Sequence, residues 1–166
     1  QLELGRVTSG LHLRDKIAYR DAAFEVGYYD DRRWTERPEV FVRRELARTL
    51  FEEHGFRRTL AGQAPVLDIE VIAFEEVRGK SPNGSSNASA RIQLRMIVHD
   101  DRDAMFERTI MIDRPVAQGA GSTEGLVQAM AEALDAAAED VAKETEGVLR
   151  SRPKTDKAPS PETSPQ

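Results

Sequence analysis

The chain has 166 residues, of which 39% are hydrophobic and 32% are charged, and its formal net charge is -5. This composition is typical of one globular domain with its own core, and the acidic balance argues against a nucleic-acid binder. There is no cysteine, which excludes disulfides and thiolate metal sites, and no apolar run approaches the roughly 18 residues that span a bilayer.

The first segment of the chain predicts β-structure. Residues 2–13 mix apolar and polar side chains in alternation but contain Gly5 and Gly10, which indicates a strand interrupted by a bulge or bend. Residues 16–20 and 24–29 predict two further short strands, separated by a break.

The stretch YYDDRRWTERP, residues 28–38, follows these strands and combines aromatic side chains with a cluster of charges. We interpret its middle as an aspartate-rich turn in which Arg33 pairs with Asp30 or Asp31. Residue chemistry favours such a structural joint over a ligand site, but both alternatives stay open at this stage.

A first helix is expected to begin at Pro38, because the missing N–H of proline costs nothing in the first turn of a helix. Trp34 would cover the start of this helix. The helix should run to about His54, after which Gly55 offers a left-handed stop. Its buried stripe, at helical spacing, comprises Val42, Leu46 and Leu50.

The middle of the chain predicts a meander of three antiparallel strands with one solvated face. Residues 66–77 and 92–98 alternate as half-buried strands, joined by a polar connection at residues 80–90 with a flexible tip. A tight turn at residues 100–103 leads to the third strand, near residues 106–112. The expected buried face of the first meander strand comprises Leu67, Ile69, Val71 and Ala73.

A second amphipathic helix follows, capped by Ser122 or Thr123. Its apolar positions recur at spacings of three and four: Val127, Met130, Leu134, Ala137 and Val141. Residues 151–166 contain four prolines and predict a disordered Pro/Ser-rich tail, which leaves one domain at residues 1–150. The predicted fold is α+β, an antiparallel sheet with a three-stranded meander and two amphipathic helices packed on one face.

The sequence predicts no catalytic residue, no cofactor site and no metal site, and hence a protein that is not an enzyme. His12, His54 and His99 have no metal-binding spacing, and a G-x-S-x-G nucleophile elbow is missing. The run GAGSTEG at residues 119–125 departs from the dinucleotide fingerprint at Glu124, whose carboxylate would compete with a phosphate.

Adjacent carboxylates occur in several places, of which Glu75-Glu76 lies within a predicted strand. Neighbouring side chains on a strand point to opposite faces of the sheet. The pair is therefore not expected to work as an acid and a base on one substrate.

Residues 27–38, the helix end LFEEHGF at residues 50–56 and the strand LDIEV at residues 67–71 resemble the ABC-type transport auxiliary lipoproteins, the group that includes paraquat-inducible protein C. In that family an aromatic pair at a strand end leads to a tryptophan and to a proline that opens the first helix. A meander and a C-terminal helix follow. The resemblance covers approximately residues 4–149, and its most specific part is the spacing Tyr-Tyr-x-x-x-x-Trp-x-x-x-Pro.

The resemblance implies a periplasmic domain tethered to the outer membrane by a lipidated N-terminal cysteine. This chain has no cysteine, so the anchor would lie upstream of Gln1. The implied partners are a mammalian-cell-entry-domain substrate-binding protein and its ABC transporter, which move lipids or other hydrophobic compounds. The chain would act without catalysis, by docking or by oligomerising on that partner.

The family-motif residues are Tyr28, Tyr29, Arg33, Trp34 and Pro38. The aromatic members would either fix the core beneath the first helix or line a partner surface, because amphipathic aromatic side chains are enriched at interfaces. An alternative function is a small carrier, in which the helices and the sheet enclose an apolar pocket for a lipid or another hydrophobic ligand.

Overall fold

The computed structural model describes residues 1–22, 25–59, 64–80, 86–101 and 103–151. The strands in these ranges are β1 (Glu3–Ser9), β2 (Lys16–Ala22), β3 (Glu25–Arg33), β4 (Val66–Lys80), β5 (Ser86–His99) and β6 (Ala104–Pro115). The helices are α1 (Pro38–Ala47), which continues as a π-helical segment at Arg48–Glu53, and α2 (Thr123–Arg150). The predicted α+β class is confirmed. No helix among the described residues is long and apolar enough to cross a membrane.

The six strands form one open sheet around the long strand β4. On one side β4 pairs antiparallel with β5, and β5 pairs antiparallel with β6, which confirms the meander. On the other side β4 pairs in parallel with β1 along its first part and with β2 along its second part. β3 completes the sheet as the antiparallel neighbour of β2.

The sheet is therefore mixed, with two parallel pairings beside the antiparallel ones. Parallel neighbours need a long crossover connection, and the segment from β2 through β3 and α1 to β4 supplies one. The alternation of apolar and polar residues is the same in both directions, so the sequence pattern contains no information on strand direction.

The hydrophobic core lies between one face of the sheet and the two helices. The predicted stripe of the first helix, Val42, Leu46 and Leu50, is fully buried. The facing strand residues are buried as well, and they comprise Leu67, Ile69, Val71, Ile92, Leu94, Met96 and Val98. The solvent-shielded side of α2 adds Leu126, Met130, Ala137 and Val141. Each large aliphatic side chain so buried contributes roughly 1.5–3 kcal/mol.

A β-bulge in β4 changes which residues face the core. Val71 pairs with Leu94, but the register then shifts, so that Ala73 pairs with Gln93 and Phe74 pairs with Ile92. Strict alternation from Leu67 places Ala73 on the helix-covered face, and that expectation is wrong, because the bulge inserts one residue. Phe74 takes the core position instead.

The end of the first helical region and the start of α2 both have the predicted residues in the predicted roles. The π-helical segment reaches Glu53, and Gly55 then adopts φ 66°, as the predicted left-handed stop requires. Phe56 N–H donates to the carbonyl of Leu50 at 3.0 Å. At the start of α2, the hydroxyl of Ser122 accepts a hydrogen bond from Gly125 N–H at 3.1 Å, which confirms the cap.

Two loop predictions have different outcomes. The turn at residues 100–103 is confirmed, since Asp100 N–H donates to the carbonyl of Asp103 at 3.1 Å. The polar connection is shorter than residues 80–90, because β4 extends to Lys80 and β5 begins at Ser86. Its predicted flexible tip and the predicted disordered tail after Ser151 lie outside the described residues.

Candidate functional site

The family-motif residues lie along β3 and at the start of α1. β3 continues through Arg33, whose backbone pairs with Lys16 of β2. The predicted turn at Asp30 and Asp31 is therefore wrong, because both residues lie within β3, whose register against β2 shifts between Tyr28 and Arg33. Pro38 is buried and occupies the first turn of α1, as predicted.

Arg33 pairs across the fold rather than with a neighbour in sequence. Its guanidinium Nη1 donates to Asp15 Oδ2 at 2.5 Å, so the predicted pairing with Asp30 or Asp31 is wrong. The hydrogen bond from Arg33 lowers the pKa of Asp15 below its ordinary value. The backbone N–H of Trp34 donates to the backbone carbonyl of the same Asp15 at 2.6 Å. The loop before β2 thus binds the residue that follows β3.

Tyr28 and Tyr29 differ in their surroundings although they are adjacent. The side chain of Tyr28 is 37% exposed, and its hydroxyl donates to the backbone carbonyl of His12 at 2.9 Å. Tyr29 is half-buried, and its hydroxyl donates to Glu76 Oε2 of β4 at 2.5 Å. The hydroxyl of Tyr29 thus bonds across β2 to the second strand away.

Glu76 is fully buried on the face of the sheet that α2 covers, opposite Ala90. A buried carboxylate is costly unless several donors compensate its charge. Besides Tyr29, it accepts from Arg78 Nε at 3.1 Å and from Gly121 N–H at 3.1 Å. Three donors therefore satisfy this side chain, and one of them is a cation.

Stacking interactions strengthen the same cluster. The guanidinium of Arg78 lies 3.6 Å from the ring centroid of Tyr19 and 4.8 Å from that of Tyr29, and the two rings meet edge to face at 5.2 Å. Burial, and then the hydrogen bond to Glu76, raise the pKa of Tyr29 above its ordinary value. The raised pKa extends to higher pH the range in which the phenol is protonated and can donate.

The cluster also positions the loop before α2. Gly121 adopts φ 88°, a conformation that glycine allows at little cost. Its N–H is bound by Glu76, and its carbonyl accepts from Arg32 Nη1 at 2.8 Å. Since Arg32 lies on β3 and Glu76 on β4, the backbone of this one residue connects the start of α2 to two strands of the sheet.

Trp34 forms the second part of the site, which is apolar. Its ring meets Phe74 edge to face at 5.2 Å and Phe41 at 6.4 Å, while Phe41 and Phe74 stack at 6.3 Å. Beside these rings a groove of about 320 Å³ opens between α1 and α2. Its apolar lining comprises Trp34, Phe41, Phe74, Val127, Met130, Ala131 and Leu134.

The indole nitrogen of Trp34 has an unusual environment. Nε1 is shielded from solvent, yet it has no hydrogen-bond partner among the described residues. Buried polar side-chain atoms in folded proteins are nearly always paired, and a buried tryptophan N–H usually finds an acceptor. The indole N–H is therefore an unsatisfied donor enclosed by the fold, in a side chain that lines the groove with other atoms.

The other face of the sheet carries charged rows. Glu75 and Glu76 point to opposite faces, as predicted, but both are buried. On the helix-free face Glu75 accepts from Arg20 Nε at 2.6 Å, and Arg91, its register partner on β5, donates to Asp113 of β6 at 2.8 Å. This face is thus covered by ion pairs between neighbouring strands.

Two of the three histidines have acidic partners on other elements of the fold. His54 Nε2 lies 2.8 Å from Glu139 of α2, and His99 Nε2 lies 3.5 Å from Asp68. Across the part of the chain that the structure describes, no group of three or more histidine, aspartate or glutamate residues could hold a metal ion.

Sequence reasoning missed Glu76, Arg78, Gly121 and Phe74. A signal for the first two exists, since a Glu-x-Arg pair in a long apolar strand indicates charges that must pair with each other or with a neighbouring strand. No such signal exists for Phe74, because only the bulge turns it toward the groove.

The sequence profile of the family described as ABC-type transport auxiliary lipoprotein component matches residues 1–142. No curated protein matches the chain at a significant level. Among solved structures, protein XCC0632 from Xanthomonas campestris is similar over 90% of this chain and 85% of its own, with a TM-score of 0.75 and 19% identity.

Two further solved structures share the fold at lower similarity. A minor lipoprotein from Acinetobacter baumannii matches with a TM-score of 0.53 and 11% identity, over 84% of this chain and 91% of its own. Hypothetical protein CT253 from Chlamydia trachomatis matches with a TM-score of 0.54 and 12% identity, over 90% and 99%. At these identities the structural likeness shows a common fold.

Proposed function

Because the chain belongs to the family of ABC-type transport auxiliary lipoprotein components, we propose that it is a non-enzymatic periplasmic component of a lipid transport system. It would dock on the mammalian-cell-entry-domain protein of that system at the outer membrane. The observation that carries this proposal is the match of the family profile to residues 1–142, which include all six strands and most of α2.

The geometry of the motif supports a binding role over catalysis. Tyr29 and Trp34 are committed to contacts within the fold, with Glu76 and with Phe74. Tyr28 and Arg33 instead present exposed surface at the outer strand β3. A protein that acts by docking needs a rigid frame and an outward surface, and these residues supply both.

The turn between β1 and β2 extends this outward surface. Leu11 in that turn is 88% exposed, and the hydroxyl of Tyr28 holds the backbone of the adjacent His12. Tyr28 and Arg33, both exposed on β3, are residue types enriched at interface centres, and Leu11 adds exposed apolar area next to the residue that Tyr28 holds. We therefore place the docking surface at Leu11, Tyr28 and Arg33.

Co-purification tests the docking role directly. The chain is expressed with a mammalian-cell-entry-domain protein from the same organism, and a tag on that protein is used for capture. Stoichiometric capture of this chain is the expected result. The absence of this chain from the captured complex, at protein concentrations well above micromolar, would contradict docking.

The family name supports a place in the cell envelope, within which we propose the outer membrane as the location. Metabolic labelling of the full-length gene product with a radioactive fatty acid, followed by separation of the inner and outer membranes, tests the anchor. Label in an outer-membrane species of the expected mass supports it. Unlabelled protein in the cytosol would overturn both the anchor and the compartment.

A second candidate function, a small hydrophobic-ligand carrier, is favoured by the groove beside Trp34. The groove lies between the helices and the sheet, where the alternative hypothesis expects a pocket, and its volume of about 320 Å³ is at the lower end for a ligand site. Mass spectrometry of protein purified from cells and denatured in solvent tests this candidate. A lipid returned in stoichiometric amount supports the carrier, and its absence favours docking alone.

A further inference from the structure

We propose that the outer edge of β6 binds an extended segment of a second protein, which pairs with β6 as an added strand. The segment places apolar side chains in a groove between β6 and α2, and it brings a carboxylate to Arg114. The site lies at the opposite edge of the sheet from β3, so this inference goes beyond the docking surface at Leu11, Tyr28 and Arg33.

The backbone of β6 bonds to a neighbouring strand on one side. β6 ends the sheet, and β5 is its one neighbour among the described residues. Antiparallel strands exchange hydrogen bonds at every second residue. Val116 N–H donates to the carbonyl of Ala88 at 2.9 Å, and the register from Pro115 to Phe106 is continuous. The even-numbered residues of β6 therefore bond to β5, and the odd-numbered residues direct their N–H and carbonyl groups outward.

Four residues present this outward backbone, namely Glu107, Thr109, Met111 and Asp113, and all four are exposed. Arg114 Nη1 donates to the carbonyl of Asp113 at 3.1 Å and so covers one end of the row. A row of alternating donors and acceptors is complementary to the backbone of another strand, and strand addition to a free sheet edge is a recurrent mode of peptide binding. The row thus indicates an extended polypeptide as the occupant.

The charges of this edge do not prevent such pairing. Proteins protect free edges with charged side chains, prolines or bulges. Here Glu107 accepts from Arg95 at 2.7 Å and Asp113 accepts from Arg91 at 2.8 Å, so both acids are compensated by β5. Pro115 and the register shift against β5 lie at the two ends of β6, which leaves the edge between them regular.

A groove of about 680 Å³ borders the beginning of this edge. Met105 and Phe106 of β6 lie on one side of it, and Gly147 and Val148 of α2 lie on the other. Phe106 is opposite the buried Val98, so it points to the helix-covered face of the sheet. On that face every second side chain of an added strand extends toward α2. Apolar side chains at alternate positions of the segment therefore fit the groove.

Gly147 keeps the α2 side of this groove open. Within a helix, glycine is less favourable than every residue except proline. A Cβ atom at this position would have no heavy atom of another element within 4 Å, so no contact in the described fold requires glycine. The missing side chain instead leaves room for a side chain of the partner.

Arg114 indicates the charge of the partner. Among the described residues its guanidinium bonds the carbonyl of Asp113 but no carboxylate. It lies opposite Ala90 on the helix-covered face, where an acidic side chain of the added strand would pair with it. A second copy of β6, paired antiparallel, does not supply this group, because its acids Glu107 and Asp113 lie on the other face.

The test uses a synthetic nine-residue peptide with glutamate at each end and threonine alternating with valine between them, so that the glutamates and valines share one face. It is titrated into the isotope-labelled full-length chain, and amide hydrogen exchange is followed by NMR. We expect saturable binding and slower exchange at Glu107, Thr109 and Met111, with little change at Arg108 and Ile110, whose N–H groups already bond to β5. No saturable binding at millimolar peptide, or slower exchange confined to other elements, would overturn the proposal.

Gly147→Leu tests the groove. Leucine fills the space beside Val148 and should weaken peptide binding at least tenfold, while the melting temperature stays or rises because leucine favours a helix more than glycine does. Gln128→Leu is the matched control at an exposed position of α2 outside this groove, and it should leave the affinity unchanged. Equal affinities of the two variants would contradict the proposed site.

Arg114→Gln tests the ionic contact. The affinity for the glutamate peptide should fall about two- to fivefold, as expected for the loss of a surface ion pair. A peptide with glutamine at both ends should bind the variant and the wild type equally. The same loss for both peptides would exclude the carboxylate from the proposal.

Other occupants of the edge have their own outcomes. Slower exchange at the same amides with rising protein concentration, without peptide, would replace the second protein by a second copy of this chain. Tighter peptide binding by a chain that ends at Ser151 would make residues 152–166 the occupant. Gly147→Leu should leave capture by the mammalian-cell-entry-domain protein unchanged, so failure of this proposal is distinguishable from failure of the docking role.

Discussion

The hydroxyl of Tyr29 on β3 donates to the buried carboxylate of Glu76 on β4 at 2.5 Å, although β2 lies between the two strands. Glu76 also binds the N–H of Gly121. One side chain thus couples the outer strand that carries the family motif to the loop from which α2 begins. This coupling gives Tyr29, within β3, a structural function in the fold.

Removal of the Tyr29 hydroxyl should destabilise the protein. Tyr29→Phe leaves Glu76 with two donors, and we expect a loss of about 1.5 kcal/mol in the free energy of unfolding, because a hydrogen bond to a charged group contributes roughly that much. Urea denaturation measures it. Tyr28→Phe is the matched control, since that hydroxyl is at the surface, and its effect should stay within about 0.5 kcal/mol.

Replacement of Glu76 should have a larger effect. Glu76→Leu leaves the guanidinium of Arg78 and the N–H of Gly121 without their acceptor, and breaking a buried charge pair typically costs about 3–5 kcal/mol. Glu76→Gln keeps one acceptor oxygen and should lose less. Amide hydrogen exchange at Gly121 should accelerate in the leucine variant. A leucine variant within about 1 kcal/mol of the wild type would show that the cluster is not structural.

Alkaline pH should weaken the same cluster. Burial, and then the hydrogen bond to Glu76, raise the pKa of Tyr29 above its ordinary value of 10.0. A group whose pKa is raised on folding stabilises fully below its unfolded pKa, and that contribution is lost as the pH rises through the folded pKa. Thermal melts above about pH 10 should therefore fall more steeply for the wild type than for Tyr29→Phe. Parallel curves would contradict this assignment.

The elements of this fold follow from local sequence, whereas the site depends on longer-range geometry. Pro38 and Gly55 determine the ends of the first helical region by their backbone preferences alone, so both could be predicted. The partner of Arg33 could not, because Asp15 approaches only when β2 pairs with β3. The charge pattern of a sequence gives the candidates for an ion pair but not the neighbour that the sheet selects.

The bulge in β4 has the largest consequence of this kind. It moves Ala73 to the charged face and turns Phe74 toward Trp34, which creates one wall of the groove. No glycine or proline marks it in the sequence, so periodicity predicts an uninterrupted strand. The sequence therefore predicts only an apolar pocket between the helices and the sheet, without the aromatic wall that Phe74 forms.

The segment after Ser151 should contribute nothing to folding. Residues 152–166 are rich in proline and serine, and we propose that the domain is complete at residue 150. A chain that ends at Ser151 should melt within about 2 °C of the full-length chain, which is the shift that roughly half a kcal/mol produces. A larger decrease in melting temperature would show that the tail packs on the domain.

The proposed docking surface predicts a specific loss of binding. Leu11→Asp places a charge at the most exposed large apolar side chain of the described residues, in a turn that Tyr28 holds by a hydrogen bond. Burial of that unpaired charge at an interface would be costly, so capture of the chain by the mammalian-cell-entry-domain protein should fall at least tenfold while thermal stability is unchanged. Met111→Asp is the matched control, because Met111 is 54% exposed on β6 at the far edge of the sheet. Loss of capture in both variants would indicate a nonspecific effect of charge, and loss in the control alone would move the docking surface to β6.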